Sequence, residues 1–184
     1  KFCLTLFVSV SLFPFVSSEA HAHGLDEGQL ILRLAGDTLY VTATPNQKVF
    51  SSFDLNKDKK ISKAEINKNR DKMIQHFIDG LEFRDTKDNM GKLIFKDIGK
   101  PHFHASVDGA KAPTHLRVRL RFQWKTAPAE LKTKYKYALE SPLHVRARRF
   151  TARRVLNQQR PLGGLTTGRL DIRQPAVVLF TESG

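Results

Sequence analysis

Cysteine is nearly absent: Cys3 is the only one in 184 residues. It stands too near the start for a lipoprotein attachment site, and a single thiol excludes an internal disulfide framework, so a hydrophobic core must hold the fold. About 160 residues are enough to bury one. Tryptophan occurs once and methionine twice. No second long apolar run follows residue 22, so no membrane-spanning helix is expected there, and the mature chain should be soluble. A nucleophile elbow, a phosphate-cradling glycine loop and a metalloprotease helix motif are missing too, so the sequence does not predict an enzyme.

The apolar run that does exist is Phe2 to Val16, behind Lys1 and ahead of small and polar residues. It is short for a membrane span, and its basic start, apolar middle and small-residue end are the parts of a secretory signal peptide. Ala20-His21-Ala22 before His23 is the preferred cleavage site; Ser18-Glu19-Ala20 before His21 is the alternative. The expected organisation is a signal peptide over 1–22 and one β-rich domain over 23–184, periplasmic or secreted.

Asp54 to Glu65 reads DLNKDKKISKAE. Asp54, Asn56 and Asp58 occupy positions 1, 3 and 5 of a twelve-residue loop. The Lys60 carbonyl falls at position 7, Ser62 at 9 and Glu65 at 12. A hard cation of calcium's size takes roughly six to eight oxygens, and this spacing brings alternate side chains to one point, with Glu65 supplying both carboxylate oxygens. Phe50 and Phe53 precede the loop at the spacing of an entering helix. Ile66, Met73, Ile74, Phe77, Ile78 and Leu81 give the following segment a helical period. Helix, loop and helix, over about 46–81, resemble the EF-hand calcium-binding family. The departure is Lys59, at the position where that family has glycine for a positive φ. The strain of a side chain there, about 1 to 2 kcal/mol, and the neighbouring Lys57, Lys60 and Lys63 predict weak Ca2+ binding, of roughly 10⁻⁴ to 10⁻³ M. Ile61, at position 8, ties the loop to its surroundings; with no internal mate, a dimer joined through Ile61 is one option.

Around the loop the sequence predicts strands. Leu30, Leu32 and Leu34 alternate in one, Leu39, Val41 and Ala43 in the next, with Gly36-Asp37 as a two-residue turn between them. Gly80 to Gly91 reads as a polar connection, in which Asp85, Asp88 and Asn89 suggest a turn. Further strands are expected over Lys92–Asp97, His102–Val107, Leu116–Lys125, Leu131–Leu139, Leu143–Phe150 and Ala176–Phe180. The fold class is α+β: a mainly antiparallel β-sandwich with one EF-hand helix-loop-helix inserted after the first hairpin. The opening HAHGLDEGQLILRLAGDTLYVTATP, the EF-hand and the later YKYALESPLHVRARRF resemble exported bacterial EF-hand proteins, similar to the N-terminal region of HupE/UreJ-type membrane proteins. The resemblance implies export and calcium binding. It does not imply transport, because the membrane helices of that family have no counterpart here.

The excess charge is local. Residues 111–173 hold 16 basic residues against Glu130, Glu140 and Asp171, so 16 minus 3 accounts for the whole net charge of +13. Arg117, Arg119 and Arg121 alternate with Val118, Leu120 and Phe122, Lys132, Lys134 and Lys136 alternate with Thr133, Tyr135 and Tyr137, and His144, Arg146 and Arg148 repeat the pattern. Each strand presents its cations on one side; if the strands were neighbours, like charges would oppose one another. Such a face suits an anionic membrane surface, an acidic polymer or an acidic protein. Export disfavours the nucleic acid that a pI near 10 would otherwise suggest. A second reading rests on nitrogen ligands: His102 and His104 share a strand face, and processing exposes His23, or His21 with His23, at the terminus. That set suits a periplasmic copper- or nickel-handling protein.

Overall fold

The structure is a computed structural model that describes residues 27–99, 115–150 and 161–180. The predicted signal peptide, the expected strand over His102–Val107, and His21, His23, His102 and His104 all lie outside the described residues.

The predicted hairpin forms. β1 (Gln29–Ala35) and β2 (Thr38–Ala43) pair antiparallel with Leu32 opposite Val41, and Gly36 supplies the turn's positive φ, 61°. A 3-10 helix (Gln47–Phe53) and helix α1 (Lys63–Ile78) follow. Then come β3 (Leu81–Arg84), β4 (Lys92–Gly99), β5 (Arg117–Gln123), β6 (Leu131–Tyr135), β7 (Leu143–Phe150), β8 (Pro161–Leu170) and β9 (Ala176–Leu179). Six strands form one sheet in the order β4-β5-β2-β1-β7-β8, and three form another in the order β3-β6-β9.

Alternation decides which way each sheet faces. Leu30, Leu32 and Leu34, Leu39, Val41 and Ala43, Val118, Leu120 and Phe122, and Leu143, Val145 and Ala147 are all buried on one side of the large sheet. Leu81, Phe83, Leu131, Tyr135 and Leu179 are buried from the small sheet, and one hydrophobic cluster joins the two sets. Phe83 of β3 meets Phe122 of β5 with ring centroids 5.4 Å apart. Helix α1 contributes Ile66, Met73, Ile74 and Phe77 to the same core, and Phe77 packs on Tyr135 at 6.1 Å and on Phe50 at 6.2 Å. Each such side chain, fully removed from water, contributes about 1.5–3 kcal/mol.

Five expectations need correction. The strand expected over Leu131–Leu139 ends at Tyr135, and residues 136–140 form a turn. The large sheet is mixed: β1 and β7 run parallel, Leu32 opposite Ala147. The chain reaches β7 only after a long excursion through other strands, which meets the length that a parallel connection requires. The entering helix is a 3-10 helix, kinked at Phe50 (φ −108°, ψ 17°), because only seven residues separate its cap, Asn46, from Asp54. So short a segment cannot repay α-helix nucleation. Leu81 belongs to β3 and not to the exiting helix, so the polar connection begins after Arg84. Finally, β8 was not predicted; Gly163, Gly164 and Gly168 and its largely exposed side chains hide it from an alternation test.

Candidate metal-binding loop

The loop is organised by side chains accepting hydrogen bonds from its own backbone. Asp54 Oδ2 accepts from Lys59 N at 2.7 Å, Asn56 Oδ1 from Asp58 N at 3.2 Å, and Asp58 Oδ1 from Lys60 N at 2.8 Å. These contacts curl the chain around its acidic side. Lys59 adopts φ 64°, the positive value expected at the glycine position, and Lys57 has φ 60°. Ile61 is buried, and its N–H donates to Gln47 Oε1 at 2.7 Å, which ties the loop back to the 3-10 helix. The Ile61 side chain belongs to the hydrophobic core.

Glu65 joins the loop's two ends. Its Oε1 accepts from Leu55 N at 2.7 Å and its Oε2 from Ser62 N at 2.8 Å, while Ser62 Oγ accepts from Glu65 N at 3.2 Å. The last two contacts form a capping box on α1, satisfying N–H groups that a helix start leaves unpaired. Hydrogen bonds from the Ser62 backbone, the Ser62 side chain and the Leu55 backbone hold the Glu65 carboxyl down to about 2. A carboxylate that accepts several N–H donors stays ionised.

The donor set is all oxygen, as a hard cation requires, and Asp54 Oδ1 is buried with no hydrogen-bond partner. An unpaired buried carboxylate oxygen is costly, and a cation would satisfy it. Against this stands the position of Glu65, whose oxygens already serve the backbone. Among the described residues no three His, Cys, Asp or Glu side chains are gathered to hold a metal ion. Asp54, Asn56, Asp58 and Ser62 thus share one loop with Glu65, but the three carboxylates do not converge. The second acidic stretch is a turn: Asp85 Oδ1 accepts from Lys87 N at 2.9 Å and Asn89 N at 2.8 Å.

The basic residues do not make one surface. Arg117, Arg119 and Arg121 on β5 and Arg146 and Arg148 on β7 share the outer side of the large sheet, with β2 and β1 between them. Lys132 and Lys134 stand on β6 in the other sheet, opposite Arg84 and Glu82, and Lys136 lies just beyond that strand. β5, β6 and β7 never pair with one another, so their own cations do not oppose each other; like charges still meet where Lys132 stands opposite Arg84 and Arg33 opposite Arg148. Arg121 stacks over Phe95 at 4.5 Å and Tyr40 at 5.5 Å, and Arg33 lies over Phe150 at 4.4 Å. Arg119 Nε donates to Asp97 at 2.9 Å, and Arg70 of α1 pairs with the same carboxylate. Burial pushes the Asp97 carboxyl up, but Arg119 and Arg70 outweigh it and hold the group below its ordinary range. The sequence showed the cations but not Asp97, whose role depends on β4 lying beside β5. Among the described residues no helix is long and apolar enough to cross a membrane.

No protein-family model matches this sequence, and no curated protein matches it.

Proposed function

We propose that Asp54–Glu65 is a calcium-binding EF-hand loop in an exported binding or structural protein, a helix-loop-helix set into a two-sheet sandwich. The observation that carries this reading is Asp54. One of its carboxylate oxygens is fixed by the Lys59 N–H and the other is buried without a partner. Asp54, Asn56, Asp58, Ser62, Glu65 and the Lys60 carbonyl would hold the ion once Glu65 turned from the Leu55 and Ser62 N–H groups toward it. Calcium has to compete with the Leu55 and Ser62 N–H groups for Glu65, and Lys57, Lys59, Lys60 and Lys63 repel it. Both features favour weak binding, in the roughly 10⁻⁴ to 10⁻³ M range of extracellular modules. The role is then structural, bracing α1 against the 3-10 helix, and involves no chemical step.

Calorimetric titration of calcium into the chelator-stripped protein tests this, with Asp54→Ala and Glu65→Gln beside it. One ion bound by the wild type and none by either variant supports the reading. Equal heats in all three proteins would remove it.

A further inference from the structure

Two turns separate in sequence expose the most solvent-accessible large apolar side chains among the described residues, Leu139 at 69% and Ile172 at 66%. Leu139 stands between β6 and β7, and Ile172 between β8 and β9. Both line one cleft of about 340 Å³ together with Arg169, Asp171 and Arg173. The turns meet because β7 and β8 pair, Leu143 opposite Leu170 and His144 opposite Arg169.

Neither turn is loosely held. Tyr137 stacks on His76 of α1 with centroids 4.9 Å apart and donates its hydroxyl to the His76 carbonyl oxygen at 2.7 Å. Ser141 N donates to Tyr137 O at 2.9 Å, and Ser141 Oγ accepts from Asn46 N at 2.8 Å. In the second turn the Asp171 carboxylate accepts from Arg173 N at 2.9 Å and Gln174 N at 3.0 Å and pairs with Arg169 at 3.0 Å. The apolar tips are therefore held out in water by a braced framework, at a cost that a covering partner would remove.

We propose that this end of the molecule docks on an anionic phospholipid surface. Leu139 and Ile172 enter the boundary between headgroups and acyl chains, and Arg169 and Arg173 meet the lipid phosphates, whose geometry suits a guanidinium fork. Arg146, exposed on β7, extends the cationic surface from the cleft along the large sheet. The combination selects the partner: a soluble polyanion satisfies arginines but gains nothing from two aliphatic tips, whereas a bilayer interface satisfies both. Glu140, exposed beside Leu139, and Asp171, paired with Arg169, oppose the attraction, so Arg173 and the outer nitrogens of Arg169 carry it.

Co-sedimentation with phosphatidylcholine vesicles, with and without phosphatidylglycerol, tests the proposal. The protein should bind the anionic vesicles and release them as salt rises. The double substitution Leu139→Ser with Ile172→Ser should weaken binding roughly tenfold or more. Arg169→Gln with Arg173→Gln should weaken it and flatten its salt dependence, and Glu140→Gln should strengthen it. Lys132→Gln with Lys134→Gln, on the other sheet, should leave it unchanged. The substituted residues are exposed, so unaltered melting establishes that each variant is folded. Equal binding by the Leu139→Ser, Ile172→Ser protein, or no preference for phosphatidylglycerol, overturns the proposal. Binding to soluble polyphosphate without vesicle binding also overturns it, and so does a dimer that the double substitution dissolves while vesicles stay unbound.

Discussion

In the metal-free loop Glu65 serves the backbone, and its titration is the readout. Its carboxyl ionises near 4.5 in an unfolded chain and near 2 in the folded one. The folded value is the lower, so the stabilisation is complete above pH 4.5 and is lost as pH falls toward 2. Melting of the metal-free wild type should therefore drop through that window, and the drop should be smaller in Glu65→Gln. Lys59 works in the opposite direction, since its φ of 64° is strained for any residue with a side chain. Lys59→Gly should raise the melting temperature by releasing about 1 to 2 kcal/mol of strain already present in the metal-free loop, and loss of its charge should tighten any calcium binding modestly. Lys59→Ala removes the charge but keeps the strain and should recover less. Calorimetry on the three proteins separates the two contributions.

At the scale of elements, α1 explains why this segment is helical where its neighbours are strands. Ser62 and Glu65 cap its start, Ile66, Met73, Ile74 and Phe77 bury one face, and Gly80 lies just past its end. Gly80 does more than stop a helix. A Cβ added there would stand 2.1 Å from Tyr137 Cε2, and that ring is fixed by His76. Gly80→Ala should cost about 1–3 kcal/mol by overpacking, read as a lower denaturation midpoint in urea. The helical period was legible in the apolar spacing, whereas Ser62 and Glu65 were read only as loop ligands and their capping box emerged from the structure. The 3-10 form of the entering segment was not legible, because Phe50 and Phe53 suit either helix and only its length decides. β8 was invisible for the opposite reason: its edge position asks for no buried alternation, so its glycines and threonines left no pattern.

The whole molecule depends on one core shared by two sheets and a helix. Phe77 is fully buried and packs against Phe50 and Tyr135, so it joins the 3-10 helix, α1 and the small sheet. Phe77→Ala should cost about 3–5 kcal/mol. Loosening the 3-10 helix and α1 together should also weaken any calcium binding, which melting and titration of the same variant would show. The basic residues show where a linear reading stops. Their alternation revealed that each strand has a cationic side, yet two sets share one sheet and the third lies on the other. Asp97 neutralises part of the first set from a strand that sequence spacing does not associate with it.

The sequence by itself determined what depends on near neighbours: the β1–β2 hairpin with its Gly36 turn, the acidic loop with a positive φ at Lys59, the buried face of α1, and most strands. Periodicity and turn chemistry act within about a dozen residues, and the chain carries them openly. Tertiary structure alone decided the parallel β1–β7 pair, the two-sheet division of the cations, the place of Asp97 between Arg119 and Arg70, and the meeting of Leu139 with Ile172. Each joins residues far apart in sequence, so it follows from which strand pairs with which, and pairing is settled by how the buried faces close over a single core.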